Sequence, residues 1–179
     1  MVECELIGRI FSTPWGYVGI AATDRGLERI VLPRRSKEDV EVELTDARIV
    51  RGLRDKADEA QCRAFEILEA AEREIAEYLA GKRTSFDVPL AKPRATDFMR
   101  AVWRACSSIP YGKTRPYQWI AERIGRPKAS RAVGTALGAN PLPLIVPCHR
   151  VVRGDGTLGG FGGGLALKER LLNLECGKK

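Results

Sequence analysis

Residues 116–139 read PYQWIAERIGRPKASRAVGTALGA, and this stretch decides how the second half of the chain is built. Pro116 is pre-set for the first position of a helix, Ile120 and Ile124 fall four residues apart on one face, and Gly125 suits a C-terminal cap. A second helix is expected from about Lys128 to Gly138. Two short helices joined by a tight glycine-containing turn have the spacing of a helix-turn-helix. The second helix carries Ala129, Ser130, Ala132, Gly134, Thr135, Ala136, Gly138 and Ala139, so little side-chain bulk surrounds Arg131. Such a helix suits close approach to a narrow surface, or tight packing on a neighbouring helix.

Working downstream, Asn140-Pro-Leu-Pro ends that helix, and Leu144-Ile145-Val146 reads as a short buried strand running into Pro147-Cys148-His149-Arg150. A thiolate is a strong nucleophile, and a neutral imidazole can take up the thiol proton. In an extended strand Cys148 and His149 would point to opposite faces, so they can cooperate only where the backbone turns. Pro147 predicts that turn, and the amide dipoles of a helical turn opened there would lower the Cys148 pKa.

Working upstream, Thr96 is a candidate N-cap for a helix carrying Phe98, Val102, Trp103, Cys106 and Ile109. Phe86, Val88 and Leu90 alternate as a strand, and the prolines at 89 and 93 place the boundary between halves near residues 91–95. Residues 58–80 put Ala64, Phe65, Leu68, Ala71, Ile75, Tyr78 and Leu79 at helical spacing, with Gly81 as the stop. Before them, apolar runs at 6–11, 17–22 and 27–32, separated by turn residues, read as an antiparallel meander packed on that helix.

Charge divides the chain at the same place. Residues 1–81 hold 12 Lys/Arg against 17 Asp/Glu, whereas residues 82–179 hold 18 against 6. A half that basic points to a polyanionic partner, because clustered cations neutralise phosphates and release counterions. Five cysteines (Cys4, Cys62, Cys106, Cys148, Cys176) are widely spaced, which argues against a disulfide framework. With one histidine in the chain, a Cys/His zinc site lacks ligands, and neither metal nor cofactor is expected. No apolar run is long enough for a bilayer and the N-terminus has no signal-peptide pattern, so a cytoplasmic monomer is expected.

The run 140–152, together with Ile109-Pro-Tyr-Gly-Lys113, Arg131-Ala-Val-Gly134 and Gly163-Gly-Leu-Ala-Leu-Lys168, resembles the O6-alkylguanine-DNA alkyltransferases, the methylated-DNA–protein-cysteine methyltransferases. The resemblance covers residues 96–176 well and the N-terminal part loosely. It implies an α/β fold in two parts. Residues 1–91 would form a small sheet plus helix, ribonuclease-H-like, and residues 92–179 a mainly helical DNA-binding and alkyl-transfer domain.

The resemblance also implies a single-turnover repair of O6-alkylguanine, with O4-alkylthymine as a second substrate in view. Cys148 would accept the alkyl group, His149 act as base through a water, Glu175 orient the imidazole and Asn140 brace the turn. The carbonyls of Cys148 and Val151 would hold the guanine amino group, and Lys168 or Tyr117 would assist departure of the base. Arg131 would fill the duplex from the minor groove while Tyr117 rotates the nucleotide out, with Lys128, Ser130 and Ala132 beside them on the DNA. Phe161 and Gly162 stand where relatives carry tyrosine and serine, which leaves only a backbone N–H at 162 for O6. The alternatives are a lesion-binding relative without transfer, a helix-turn-helix regulator and a Cys-His hydrolase.

Overall fold

The computed structural model describes residues 5–50 and 58–177. The chain divides into two compact units, Met1–Pro93 and Arg94–Lys179.

In the first unit, strands β1 (Ile7–Thr13), β2 (Gly16–Thr23) and β3 (Gly26–Arg34) form the expected antiparallel meander. The sheet is not purely antiparallel, because β4 (Arg48–Ile49) adds beside β1 in parallel, giving the order β3-β2-β1-β4. The chain returns to that edge through α1 (Lys37–Glu43), a helix the apolar pattern does not announce. Only Val40 of α1 is buried, and a capping box between Ser36 and Asp39 starts it.

Helix α2 (Glu59–Leu79) is opened by a capping box of Asp58 and Gln61 and packs on β1, β2 and β3. All seven residues of its apolar stripe are buried. Gly81, at φ +72°, ends it in the left-handed conformation that glycine tolerates. The segment 86–90 makes a single bridge, Leu27 with Leu90, instead of a strand. Its amides are taken elsewhere: Asp87 N and Val88 N donate to the buried Glu74 carboxylate at 2.9 and 3.3 Å, and Pro89 has no N–H to offer.

In the second unit, Thr96 caps α3 (Asp97–Ser107), accepting from Met99 N. Pro116 is the N-cap of α4 (Tyr117–Arg123) rather than its first residue, and Gly125, at φ +71°, follows its end. Helix α5 (Ser130–Gly138) begins two residues later than its composition suggests. Trp103 Nε1 donates to Ala136 O at 2.8 Å and pins α3 to α5. Val102, Cys106, Ile109, Ile120, Val133, Leu137 and Val151 fill the core between them. Two of the small residues of α5 serve packing: Ala136 is buried in this core, and a Cβ on Gly134 would lie 3.6 Å from the Tyr117 ring.

Residues 144–146 are not a strand. Leu144 takes φ +77°, and Val146 N closes a tight turn on Leu142 O at 2.9 Å. Three prolines at 141, 143 and 147 remove the donors a ladder would need. Past this turn, β6 (Val151–Val152) pairs in parallel with β5 (Arg115–Pro116), which ties the Cys148 segment to the start of α4. Helix α6 (Leu165–Glu175) closes the unit.

Candidate active site

Cys148 opens a single 3-10 turn, Cys148–Arg150, with Pro147 as its N-cap. The backbone therefore bends where cooperation between Cys148 and His149 requires it. Asn140 holds the bend from outside. Its amide donates to Val146 O at 2.9 Å and to Cys148 Sγ at 3.4 Å, while its oxygen accepts from Leu142 N at 3.0 Å.

His149 is fully buried, and its Nε2 lies 2.7 Å from Glu175 Oε1. Glu175 also accepts from Arg150 Nε and Nη2 at 2.9–3.0 Å and from Gly112 N at 2.9 Å. A carboxylate surrounded by donors is ionised, so Nε2 carries the ring hydrogen and Nδ1 is the basic nitrogen. Burial pushes the His149 pKa down against the opposing pull of Glu175, which keeps the imidazole neutral with no proton on Nδ1.

The sulfur behaves differently from the expectation that turn dipoles would lower its pKa. Burial raises the Cys148 thiol, and the groups that favour the thiolate, the Asn140 amide and the N–H groups of Cys148 and His149 as donors and Lys168 through its charge, offset only part of this. A short turn provides too few aligned dipoles to outweigh desolvation.

Arg150 is the buried member of this network that sequence reasoning missed. It is 7% exposed, grips Glu175 through two nitrogens, donates to Ile109 O at 2.7 Å and sits over the Tyr111 ring. The available signal was a charged residue directly after the Cys-His pair, in a segment otherwise apolar on both sides.

Lys168, also fully buried, donates to Val151 O at 2.6 Å, to Leu158 O, and to Gly160 O at 3.5 Å. Desolvation lowers its pKa to about 8. The Tyr117 hydroxyl makes a long contact of 3.5 Å to Gly160 O, and burial raises its pKa. Phe161 stands edge-on to His149, with ring centroids 6.4 Å apart. Gly162 is exposed, with open space where a Cβ would be. The Val151 and Cys148 carbonyls each hold one internal partner, Lys168 Nζ and Val151 N respectively, and a carbonyl oxygen has a second lone pair.

Tyr117, Ser130 and Arg131 come together in one open cleft of about 450 Å³, with Gly134, Arg153 and Gly160 among its other lining residues. Ser130 Oγ donates to Gln118 Oε1 at 2.7 Å across the two helices. Lys128 and Ala132 are exposed and do not line the cleft. Cys62, Cys106, Cys148 and Cys176 form no disulfide with one another, and Cys4 lies outside the described residues. Among the described residues, no helix is long and apolar enough to cross a membrane.

Residues 97–177 match the family described as 6-O-methylguanine DNA methyltransferase, DNA binding domain. A methylated-DNA–protein-cysteine methyltransferase of Methanosarcina acetivorans is 41% identical over 166 residues, which cover 93% of this chain and 96% of that one. The crystal structure of Mycobacterium tuberculosis O6-methylguanine methyltransferase superposes with a TM-score of 0.77 at 37% identity, covering 97% of this chain and 94% of that one. A structure of the Mycobacterium tuberculosis protein in complex with DNA gives the same score and identity over 96% and 93% of the two chains.

Proposed function

This chain belongs to the methylated-DNA–protein-cysteine methyltransferase family, and from that premise we propose that Cys148 is the thiol that receives the alkyl group. The protein repairs DNA by direct reversal, moving the lesion's alkyl group onto one of its own cysteines, and DNA is its partner. The substrate in our reading is O6-alkylguanine in duplex DNA, approached from the minor groove. The observation that carries the assignment is the 3-10 turn that presents Cys148 beside Asn140 while His149 Nε2 is held 2.7 Å from Glu175.

His149 Nδ1 takes the thiol proton, through one water, and Glu175 stabilises the imidazolium that results. Sulfur then attacks the alkyl carbon from the side opposite O6. The S–C bond forms as the C–O6 bond breaks, and its electrons leave on the guanine. Tyr117 is the better source of the proton that guanine needs, because its hydroxyl makes only the long contact to Gly160. Lys168 spends its three hydrogens on three carbonyls and acts by holding the Val151 and Gly160 walls. The free lone pairs of the Cys148 and Val151 carbonyls face the guanine amino group, and the Gly162 N–H is the donor for O6. A thioether does not hydrolyse, so each molecule reacts once.

O6 lies within the base stack, so the nucleotide must leave the duplex before sulfur can reach it. In our reading α4 and α5 form a helix-turn-helix, Arg131 takes the vacated place and Tyr117 turns the nucleotide out. Ser130, Ala132 and Lys128 contact the flanking backbone. The first unit is read as ribonuclease-H-like.

The deciding experiment incubates the protein with duplex carrying methyl-labelled O6-methylguanine. One label per protein, mapped to Cys148 and lost in Cys148→Ala with lesion binding retained, is expected. Label on another cysteine, or repeated turnover, refutes the assignment.

A further inference from the structure

The cleft that holds Arg131 is also lined by a second arginine, Arg153. Arg153 follows β6 and stands on a tight turn, with Arg153 N donating to Thr157 O at 2.8 Å and Gly156 N to Arg153 O at 3.0 Å. The one acid of that turn is occupied internally, because Asp155 Oδ1 accepts from Thr157 N at 2.9 Å and Thr157 Oγ1 at 2.7 Å. Among the described residues the Arg153 guanidinium has no hydrogen-bond or ion-pair partner. The backbone leading into it is fixed nonetheless. β6 pairs with β5, and Lys168 holds Val151 O two residues earlier.

Besides the two arginines the cleft is lined by Tyr117, Gln118, Ser130 and the glycines at 134, 154, 159 and 160, with no carboxylate among them. A Cβ placed on Gly154 or Gly160 would meet nothing within 4 Å, so these walls leave room for a bulky chain to approach the backbone. A neutral base needs no pair of cations. Two arginines lining one open cleft, with no carboxylate among its other lining residues, match a phosphodiester, whose oxygens accept charge-assisted bonds from arginine.

We infer that Arg153 grips the backbone phosphate beside the extruded nucleotide, so that Arg131 fills the stack while Arg153, lining the same cleft, holds the displaced strand. This rests on the repair reading above. It makes Arg153 a positioning residue that favours the extruded state without touching the alkyl carbon. Its charge also falls on Tyr117, whose hydroxyl shares the cleft.

The test pairs Arg153→Ala with duplexes in which each phosphate flanking O6-methylguanine is replaced, one at a time, by an uncharged methylphosphonate. Single-turnover transfer is the readout. Arg153→Ala is expected to slow transfer from ordinary duplex roughly tenfold at low salt and to reduce the salt slope of binding by about 1. At one flanking position the methylphosphonate slows wild type by a similar factor and Arg153→Ala no further, whereas Arg131→Ala stays sensitive there. Arg153→Lys regains part of the rate. The inference is overturned if Arg153→Ala transfers like wild type, or if its defect multiplies with the methylphosphonate effect at every position. If wild type transfers no alkyl group from any duplex, the repair reading itself falls and this inference with it.

Discussion

Glu175→Gln isolates the network on which the site is built. Three donors converge on the Glu175 carboxylate: the ring nitrogen of His149, the guanidinium of Arg150 and Gly112 N. Glutamine keeps the shape but replaces one oxygen with an NH2 group, which meets donors it cannot serve, and leaves the nearly buried Arg150 without a counter-charge. Removing one partner of a buried ion pair costs roughly 3–5 kcal/mol. At about 2–4 °C per kcal/mol for a chain of this size, calorimetry at pH 7 should show the melting temperature falling by roughly 6–20 °C. Adding Arg150→Met removes the stranded charge as well, and replacing both ions is often near neutral. The double variant should recover most of that loss, less about 1–2 kcal/mol for Ile109 O, which loses its donor. Alkyl transfer should stay slow in both variants, because His149 lacks its anionic partner in each. A Glu175→Gln protein that melts like wild type, or a double variant that melts below the single one, would show that this carboxylate is not the hub.

Further expectations concern protonation. Because burial raises the Cys148 thiol, iodoacetamide should label Cys148 more slowly at pH 7 than the exposed Cys176, with the Cys148 rate still climbing above the ordinary thiol pKa of about 8.5; a half-maximal rate below that pH would contradict the burial argument. The His149 pKa is lowered from 6.5, so its contribution to stability is complete above that pH and is lost as pH falls below it, when the unfolded chain takes up a proton that the folded one refuses. Denaturant melts of His149→Gln should lack this acid-side loss. Lys168, at about 8 when folded against 10.5 for an ordinary lysine, predicts that stability relative to Lys168→Met rises between those two pH values, and a flat difference across that window would refute the desolvated ammonium.

Features set by local chemistry were legible in the sequence. The α2 stripe from Ala64 to Leu79, the Thr96 cap and the bend after Pro147 depend on side-chain spacing and on residues with fixed backbone habits. Features set by where a backbone group finds its partner were not. The segment 86–90 alternates like a strand, but Glu74, more than ten residues away, claims its amides. Residues 144–146 look apolar enough for a strand, yet Asn140 and the surrounding prolines hold the chain in a turn. α1 is too short for periodicity to declare itself, and the parallel pairing of β4 depends on a tertiary return of the chain. Arg150 shows the same limit in the site, since adjacency to His149 says nothing of the Glu175 carboxylate 25 residues away that makes it structural.

That distant carboxylate explains why Cys148 and His149 can sit on so short a turn. A three-residue 3-10 turn has little stability of its own, and a histidine on it would sample several rotamers. Here Glu175 arrives on the last residue of a regular helix, Arg150 reaches back to Ile109 O just after α3, and Gly112 N comes from the loop between α3 and β5. Gly112 permits this approach, because at φ +70° a Cβ there would be strained and would stand 3.0 Å from Glu175 O. The imidazole is thus positioned by three separate segments rather than by its own turn, and geometry fixed before the lesion arrives needs no rearrangement during transfer. The desolvation that this burial imposes is the same effect that keeps His149 neutral and Cys148 protonated until a proton has somewhere to go.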